Sequence, residues 1–148
     1  MIYIASSWTN PDQPMFVQYF RSRDLEVYDF RAKDASFNWR DIDPSWKNWD
    51  VPTMRKGLQH PLAVEGRKRD FAALDNCSTC ILLLPAGNSS HFELGYAAHA
   101  RKNTAVFGKG RPDLVYGVAD IITDDILELL EWMKQLNIFN LDRKKERI

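Results

Sequence analysis

The 148-residue chain is poor in the features that most readily identify a protein. It has two cysteines, no excess of either charge and no long hydrophobic run. Cys77 and Cys80 form a lone C-x-x-C. A redox C-x-x-C normally follows a strand and opens a helix, where the dipole activates the thiol. Here Cys80 leads straight into Ile81-Leu82-Leu83-Leu84. A zinc site would need a second ligand pair, which His60, His91 and His99 do not supply at finger-like spacing. The pair therefore reads as small buried hydrophobes at a strand entrance. Lys and Arg together number 20, against 20 Asp and Glu. That balance argues against nucleic acid and against an acidic membrane surface, both of which require a basic stripe. The longest apolar run, Ile81 to Pro85, is far short of the roughly 20 residues that span a bilayer. The opening MIYIASSW has no basic region ahead of a long apolar one, so a cytoplasmic protein is expected. The length suits one domain, 1–148. No G-x-G-x-x-G follows the first apolar run, where the chain reads Ala5-Ser6-Ser7-Trp8-Thr9-Asn10. A Walker loop and a G-x-S-x-G elbow are also missing.

What the chain does have is aromatic side chains, 12% of the total, with five Trp. Trp39, Trp46 and Trp49 lie close together. On a neutral domain such a cluster suits a small flat ligand, or nothing more than core.

The pattern along the chain alternates strand and helix. Ile2 to Ser6 reads as a buried strand. Thr9-Asn10-Pro11 predicts a cap and helix start, with the helix running to about Ser22. Leu25 to Asp29 is a second strand. From Phe30 to Val51 neither period fits, which marks a long loop, and its aromatic content argues against disorder. A short helix is expected from Pro52 to about Leu58 and a longer one from Pro61 to Asn76. Cys80 to Pro85 has no alternation, as in a parallel strand buried on both faces. Gly87-Asn88-Ser89-Ser90 reads as a tight turn into a helix from about Ser90 to Lys102. Thr104 to Phe107 and Ala119 to Ile122 are further strands. Ile126, Leu129, Leu130, Met133 and Leu136 mark a final amphipathic helix. The charged tail from Asp142 is expected to fray. The sum is an α/β three-layer sandwich with about five parallel strands, flavodoxin- or Rossmann-like. Ligands in such sheets bind outside the carboxyl ends of the strands, and the unusual residues fall on that rim.

One segment there carries chemistry: Ser90-His91-Phe92-Glu93-Leu94-Gly95-Tyr96-Ala97. Glu93, placed in the first turn of its helix, would be held ionised by the dipole. An ionised carboxylate on a pocket wall can attack an anomeric carbon. From spacing alone, however, Ser90-x-x-Glu93 is more simply a capping box. Asp70 in mid-helix is ordinarily a solvated residue. Tyr3 in a buried strand is ordinarily core, with a phenol that needs a partner.

Three pieces taken together resemble the nucleoside 2-deoxyribosyltransferase-like N-glycosidases, a family that includes the 2'-deoxynucleoside 5'-phosphate N-hydrolases. They are Ile2-Tyr3-Ile4-Ala5-Ser6-Ser7, Asp70-x-x-x-Leu74 leading into Cys77 to Leu84, and Ser90 to Ala97. The resemblance runs from about Ile2 to Phe107. It implies that Glu93 is the nucleophile, that Tyr3 stands close to it, and that Asp70 positions substrate or assists the leaving base. It also implies that Asn88, Ser89 and Ser90 bind sugar or phosphate oxygens. Family members complete their sites from a neighbouring subunit, so a homo-oligomer is expected, through the final helix or the loop from Gly108 to Tyr116. The chain departs from the family at Ser78, often Asp there, at Ser89-Ser90-His91, where the turn often carries Gly, and throughout Phe37 to Asp43. It reads as a divergent member.

The resulting expectation is cleavage or transfer of the N-glycosidic bond of a nucleoside or nucleoside monophosphate. Glu93 attacks C1′, and Asp70, Asp41 or Asp43 protonates the leaving base. Tyr3 positions Glu93. Trp8 and Trp39 stack on the base, and Ser7 lies beside them. No metal or organic cofactor is required. Two rivals share the scaffold: a non-catalytic nucleotide-binding sensor in which Glu93 is only a cap, and a TIR-like NAD-cleaving enzyme.

Overall fold

The computed structural model describes residues 1–34 and 36–145, with the backbone alone for 137–145. Five strands form one all-parallel sheet: β1 (Ile2–Ser6), β2 (Val27–Tyr28), β3 (Thr79–Leu83), β4 (Asn103–Phe107) and β5 (Ile121–Thr123). Their order is β2-β1-β3-β4-β5, the flavodoxin-like arrangement. Five helices accompany them: α1 (Gln13–Arg21), α2 (Val51–Leu58), α3 (Pro61–Asn76), α4 (Asn88–His99) and α5 (Ile126–Lys145).

The sheet has two cores because side chains alternate along a strand. Ile2 and Ile4 of β1 and Ile81 and Leu83 of β3 face α1 and α5, meeting Phe16, Phe20, Leu129 and Met133. Tyr3 and Ala5 of β1 and Cys80 and Leu82 of β3 face α3 and α4, meeting Leu74, Leu94 and Ala97. Each large apolar side chain buried this fully contributes about 1.5–3 kcal/mol. All five residues of β3 are buried, as its unbroken apolar run requires. Cys77 and Cys80 are buried free thiols at the strand entrance.

The expected bounds of β1 and α3 match those observed. Others move. α1 begins at Gln13, with Pro14 in its first turn, rather than beside Pro11. The reason is Asn10, which is buried. Its amide donates to Ser6 Oγ (2.9 Å) and Pro85 O (3.2 Å), tying the end of β1 to the end of β3. β2 is cut to two residues, and β5 shifts to Ile121–Thr123. α4 opens at Asn88 rather than Ser90, behind an extended Gly87 with no side-chain cap. α5 runs to Lys145; the tail expected to fray from Asp142 extends into residues 146–148, which lie outside the described residues.

The long loop between β2 and α2 has two short 3-10 turns, Trp39–Asp41 and Trp46–Asn48. It builds a small aromatic cluster of its own. Trp39 packs edge-on against Phe37 (4.8 Å) and Trp49 (5.6 Å). Trp49 lies on Gly57 of α2, and Phe37 lies on Gly66 of α3. A Cβ at Gly57 would overlap the Trp49 ring, while one at Gly66 would press on Phe37 at 3.1 Å.

Candidate active site

The earlier start of α4 changes the setting of Glu93. Counting from Gly87, Glu93 lies in the second turn, and no acidic residue occupies the first. The capping box is therefore not formed: Ser90 is a buried first-turn residue, 4% exposed, and Glu93 points elsewhere. A helix dipole loses its effect beyond the first turn, so it does not hold this carboxylate ionised. Glu93 instead faces the sheet. Desolvation first, and the nearby Asp70 charge second, push its pKa up to about 8, while a hydrogen bond from Tyr3 opposes them. At neutral pH the carboxyl keeps its proton, the reverse of the ionised state expected from the sequence.

Tyr3 is almost wholly buried, 1% exposed. Its hydroxyl donates to Glu93, and burial, then the charges of Glu93 and Asp70, raise its pKa far above the ordinary tyrosine range. Asp70 is half-buried on α3. Its carboxyl is raised by desolvation and held back by a hydrogen bond from Tyr28 and by the Arg69 charge. Tyr28 Oη donates to Asp70 Oδ1 at 2.8 Å. The rings of Tyr28 and Tyr3 are stacked, 5.2 Å apart and 20° from parallel.

Two tyrosine–carboxyl pairs therefore stand side by side on the α3/α4 face of the sheet. The strand register explains why. Tyr3 of β1 is paired with Tyr28 of β2 on one side and Cys80 of β3 on the other, and residues in register point to the same face. Ring contacts and a hydrogen bond hold α3 to α4. Phe71 meets Tyr96 edge-on at 5.3 Å, and Tyr96 Oη donates to Asp75 Oδ1 at 2.7 Å.

The structure brings Tyr3, Asp70 and Glu93 together and adds Tyr28, which the local sequence pattern presents only as part of a strand. The signal for it is topological: once β2 lies beside β1, the second tyrosine falls next to the first. The group lies over the face of the sheet, set back from the carboxyl rim, since Tyr3 is near the start of β1. The other candidates are spread more widely. Ser7 Oγ shares a hydrogen bond with Thr9 Oγ1 (3.0 Å). Trp8 is 44% exposed and rests edge-on against Phe30 at 5.4 Å. Asn88 and Ser89 are exposed in the first turn of α4. Trp39 is packed inside the loop cluster. Asp41 is exposed in its 3-10 turn. Asp43 accepts from Trp49 Nε1 at 2.6 Å, which lowers its pKa.

A shallow groove of about 530 Å³ runs along the other side of α4, between His91, Gly95, His99 and Val115. His91 Nδ1–H donates to Gly87 O at 2.7 Å, and its Nε2 meets Tyr116 Oη at 3.2 Å. Helical spacing turns this side away from Glu93. Among the described residues no three His, Cys, Asp or Glu side chains are grouped to hold a metal. Nor is any described helix long and apolar enough to cross a membrane.

Chemically, the four side chains present two carboxyls whose pKa values are both raised, each with a phenol donor. Such a pair gives up its protons as a unit, in two separate steps. One acid can hold a proton while the other is an anion, the division of labour needed to break a bond at an anomeric carbon.

No protein-family model matches the chain, and no curated protein does. Among solved structures, that of the CMP N-glycosidase BcmB of Clostridium botulinum is similar, with a TM-score of 0.48, 14% sequence identity, and 90% of this chain and 99% of that one covered.

Proposed function

We propose that the protein cleaves or transfers the N-glycosidic bond of a nucleoside or nucleoside monophosphate. The observation that carries this is the pair of adjacent carboxyls, Glu93 and Asp70, each held by a tyrosine on one sheet face. In the free protein the pair's remaining proton rests on Glu93; in the reacting form it has passed to Asp70, and Glu93 is the anion. A Glu93 oxygen forms a bond to C1′ as the C1′–N bond breaks. The electron pair leaves with the base nitrogen, which takes the Asp70 proton. Water then attacks C1′ and gives its proton to Asp70, and Glu93 departs as carboxylate; in transfer, a second base replaces water. Tyr3 holds the Glu93 oxygen it donates to and directs the other toward the sugar.

The exposed Asn88 and Ser89, with the open amides of the first turn of α4, suit sugar or phosphate oxygens. Trp8, exposed near the end of β1, is the aromatic face available to a base, and Ser7 lies next to it. The assembly implied is a homo-oligomer, and a monomeric mass by light scattering at assay concentration would exclude it.

The test is turnover of a panel of nucleosides and monophosphates, ribo and deoxy, by the wild type and by Glu93→Gln. Product from the wild type, reduced at least a hundredfold in the variant, is expected for loss of a nucleophile. Equal turnover by both would sink the mechanism. A second reading, a nucleotide-binding sensor, has one observation in its favour: a carboxyl protonated at neutral pH is a poor nucleophile. It predicts ligand binding with no product from either protein.

A further inference from the structure

Tyr28 has no role in that mechanism, yet it is bound directly to one of the two acids. Its hydroxyl donates to Asp70 Oδ1 at 2.8 Å, across 42 positions of sequence. Its ring lies on that of Tyr3, 5.2 Å away. Tyr3 in turn donates to Glu93. The chain of contacts therefore runs from one acid to the other through two stacked phenols, which leave from register-paired positions of adjacent strands.

We propose that Tyr28 is a positioning residue for the reaction: it pins Oδ1 of Asp70, so that Oδ2 carries the proton to the leaving base, and its stack on Tyr3 fixes Asp70 relative to Glu93. This rests on the N-glycosidic reading above. The proton balance is unchanged by it, since the Tyr28 O–H stays on Tyr28 throughout. A phenol bond to one oxygen of a carboxyl is compatible with either charge state. It donates to the anion before the second step and to the carbonyl oxygen when Oδ2 is protonated. A backbone strand is a stiffer mount for such a donor than a loop, and an ångström of misplacement is enough to lose a near-attack geometry.

The groups around Asp70 are Tyr28 from β2, Tyr3 from β1, Glu93 from α4 and Arg69 from its own helix. Of these, the Tyr28 hydrogen bond is the first to lower the Asp70 pKa. Tyr28→Phe keeps the ring and its stack and deletes only the hydroxyl. Two readouts follow. Titration of Asp and Glu carboxyl carbons by ¹³C NMR, without substrate, should show the Asp70 step moved to higher pH in Tyr28→Phe. The kcat should fall on the order of tenfold with KM little changed, since the bond lost is one to a charged or charging group. In an Asp70→Asn background the same change should cost much less, because the carboxyl Tyr28 serves is gone. An Asp70 step at the same pH in wild type and Tyr28→Phe, or an equal loss in both backgrounds, would overturn the role and leave Tyr28 as packing. Full turnover by Glu93→Gln would remove the reaction and the proposal with it. An inactive Glu93→Gln beside an unimpaired Tyr28→Phe would overturn the proposal alone.

Discussion

Glu93 binds its proton more tightly in the folded chain than in the unfolded one, because burial and then the Asp70 charge raise its pKa from 4.5 to about 8. Between those values the folded state holds more protons. Stability from this group is therefore fully present below pH 4.5 and is lost as pH rises toward 8. Glu93→Gln cannot titrate at this position, so the difference between the two proteins reports the Glu93 step of the coupled pair. The melting temperature of the wild type should fall relative to Glu93→Gln across that window. The gap at about pH 8.5 should be on the order of 1–3 kcal/mol, less than the full shift because the carboxyl keeps some solvent. Parallel melting curves across the whole window would show that Glu93 is not desolvated as described. The same group sets the rate profile. If the pair must hold one proton, kcat/KM falls as the last one leaves, with an alkaline limb near pH 8. Asp70→Asn removes the neighbouring charge, so the Glu93 pKa drops. Its residual activity should then rise with pH through that lower value, with no fall near 8. A wild-type profile that climbs through this alkaline range would mean that Glu93 acts alone and needs no proton donor.

Elements bring these residues together, and most of the elements are legible in the sequence. The Pro at the head of α3 leaves little freedom, and local pattern locates that helix; the unbroken apolar run identifies β3 as a buried strand, though its ends shift to Thr79–Leu83. It does not locate the start of α4, because Asn88, Ser89 and Ser90 are all good caps, yet the helix starts behind Gly87 and none of the three serves as its cap. That start has large consequences. Two residues of shift bury Ser90 and move Glu93 out of the first turn, away from the dipole that would hold it ionised. Asp70 and Tyr3, ordinary residues by their local patterns, gain their setting from partners far away in sequence. Tyr28 is hidden for the same reason, since its contact exists only once β2 is known to flank β1. The Trp loop suits a binding surface or a core by composition, and most of its rings pack on one another, on α2 and on α3. A consequence at this scale is that Gly57 is required by the Trp49 ring. A Cβ at Gly57 would overlap Cζ3 and Cη2 of Trp49. Gly57→Ala should evict that ring and cost about 1–3 kcal/mol by thermal melt. Tryptophan emission should shift toward the solvent-exposed form as the ring leaves. Unchanged stability would show that the loop is not seated on α2.

For the whole molecule, zero net charge offers no overall attraction to a polyanion, while a single nucleotide needs only a few hydroxyls and helix amides to hold it. Enzyme and sensor are distinguished by coupling binding to stability. A ligand that binds only the folded chain stabilises it by about 2.7 kcal/mol at a hundredfold excess over Kd. For a domain of this size that is a rise of about 5–10 °C in melting temperature. Both functions predict the rise, so the shift alone does not separate them. Glu93→Gln does. In the enzyme it keeps the groups that hold sugar and base while stopping turnover, so the shift with substrate should be at least as large as in wild type and should persist on incubation. The wild-type shift should decay toward that of the free base and sugar phosphate as substrate is consumed. In a sensor neither shift decays and the two proteins behave alike. A decaying wild-type shift beside a stable one in Glu93→Gln therefore establishes catalysis by this carboxyl even while the product is unidentified, and the ligand that produces it identifies the substrate.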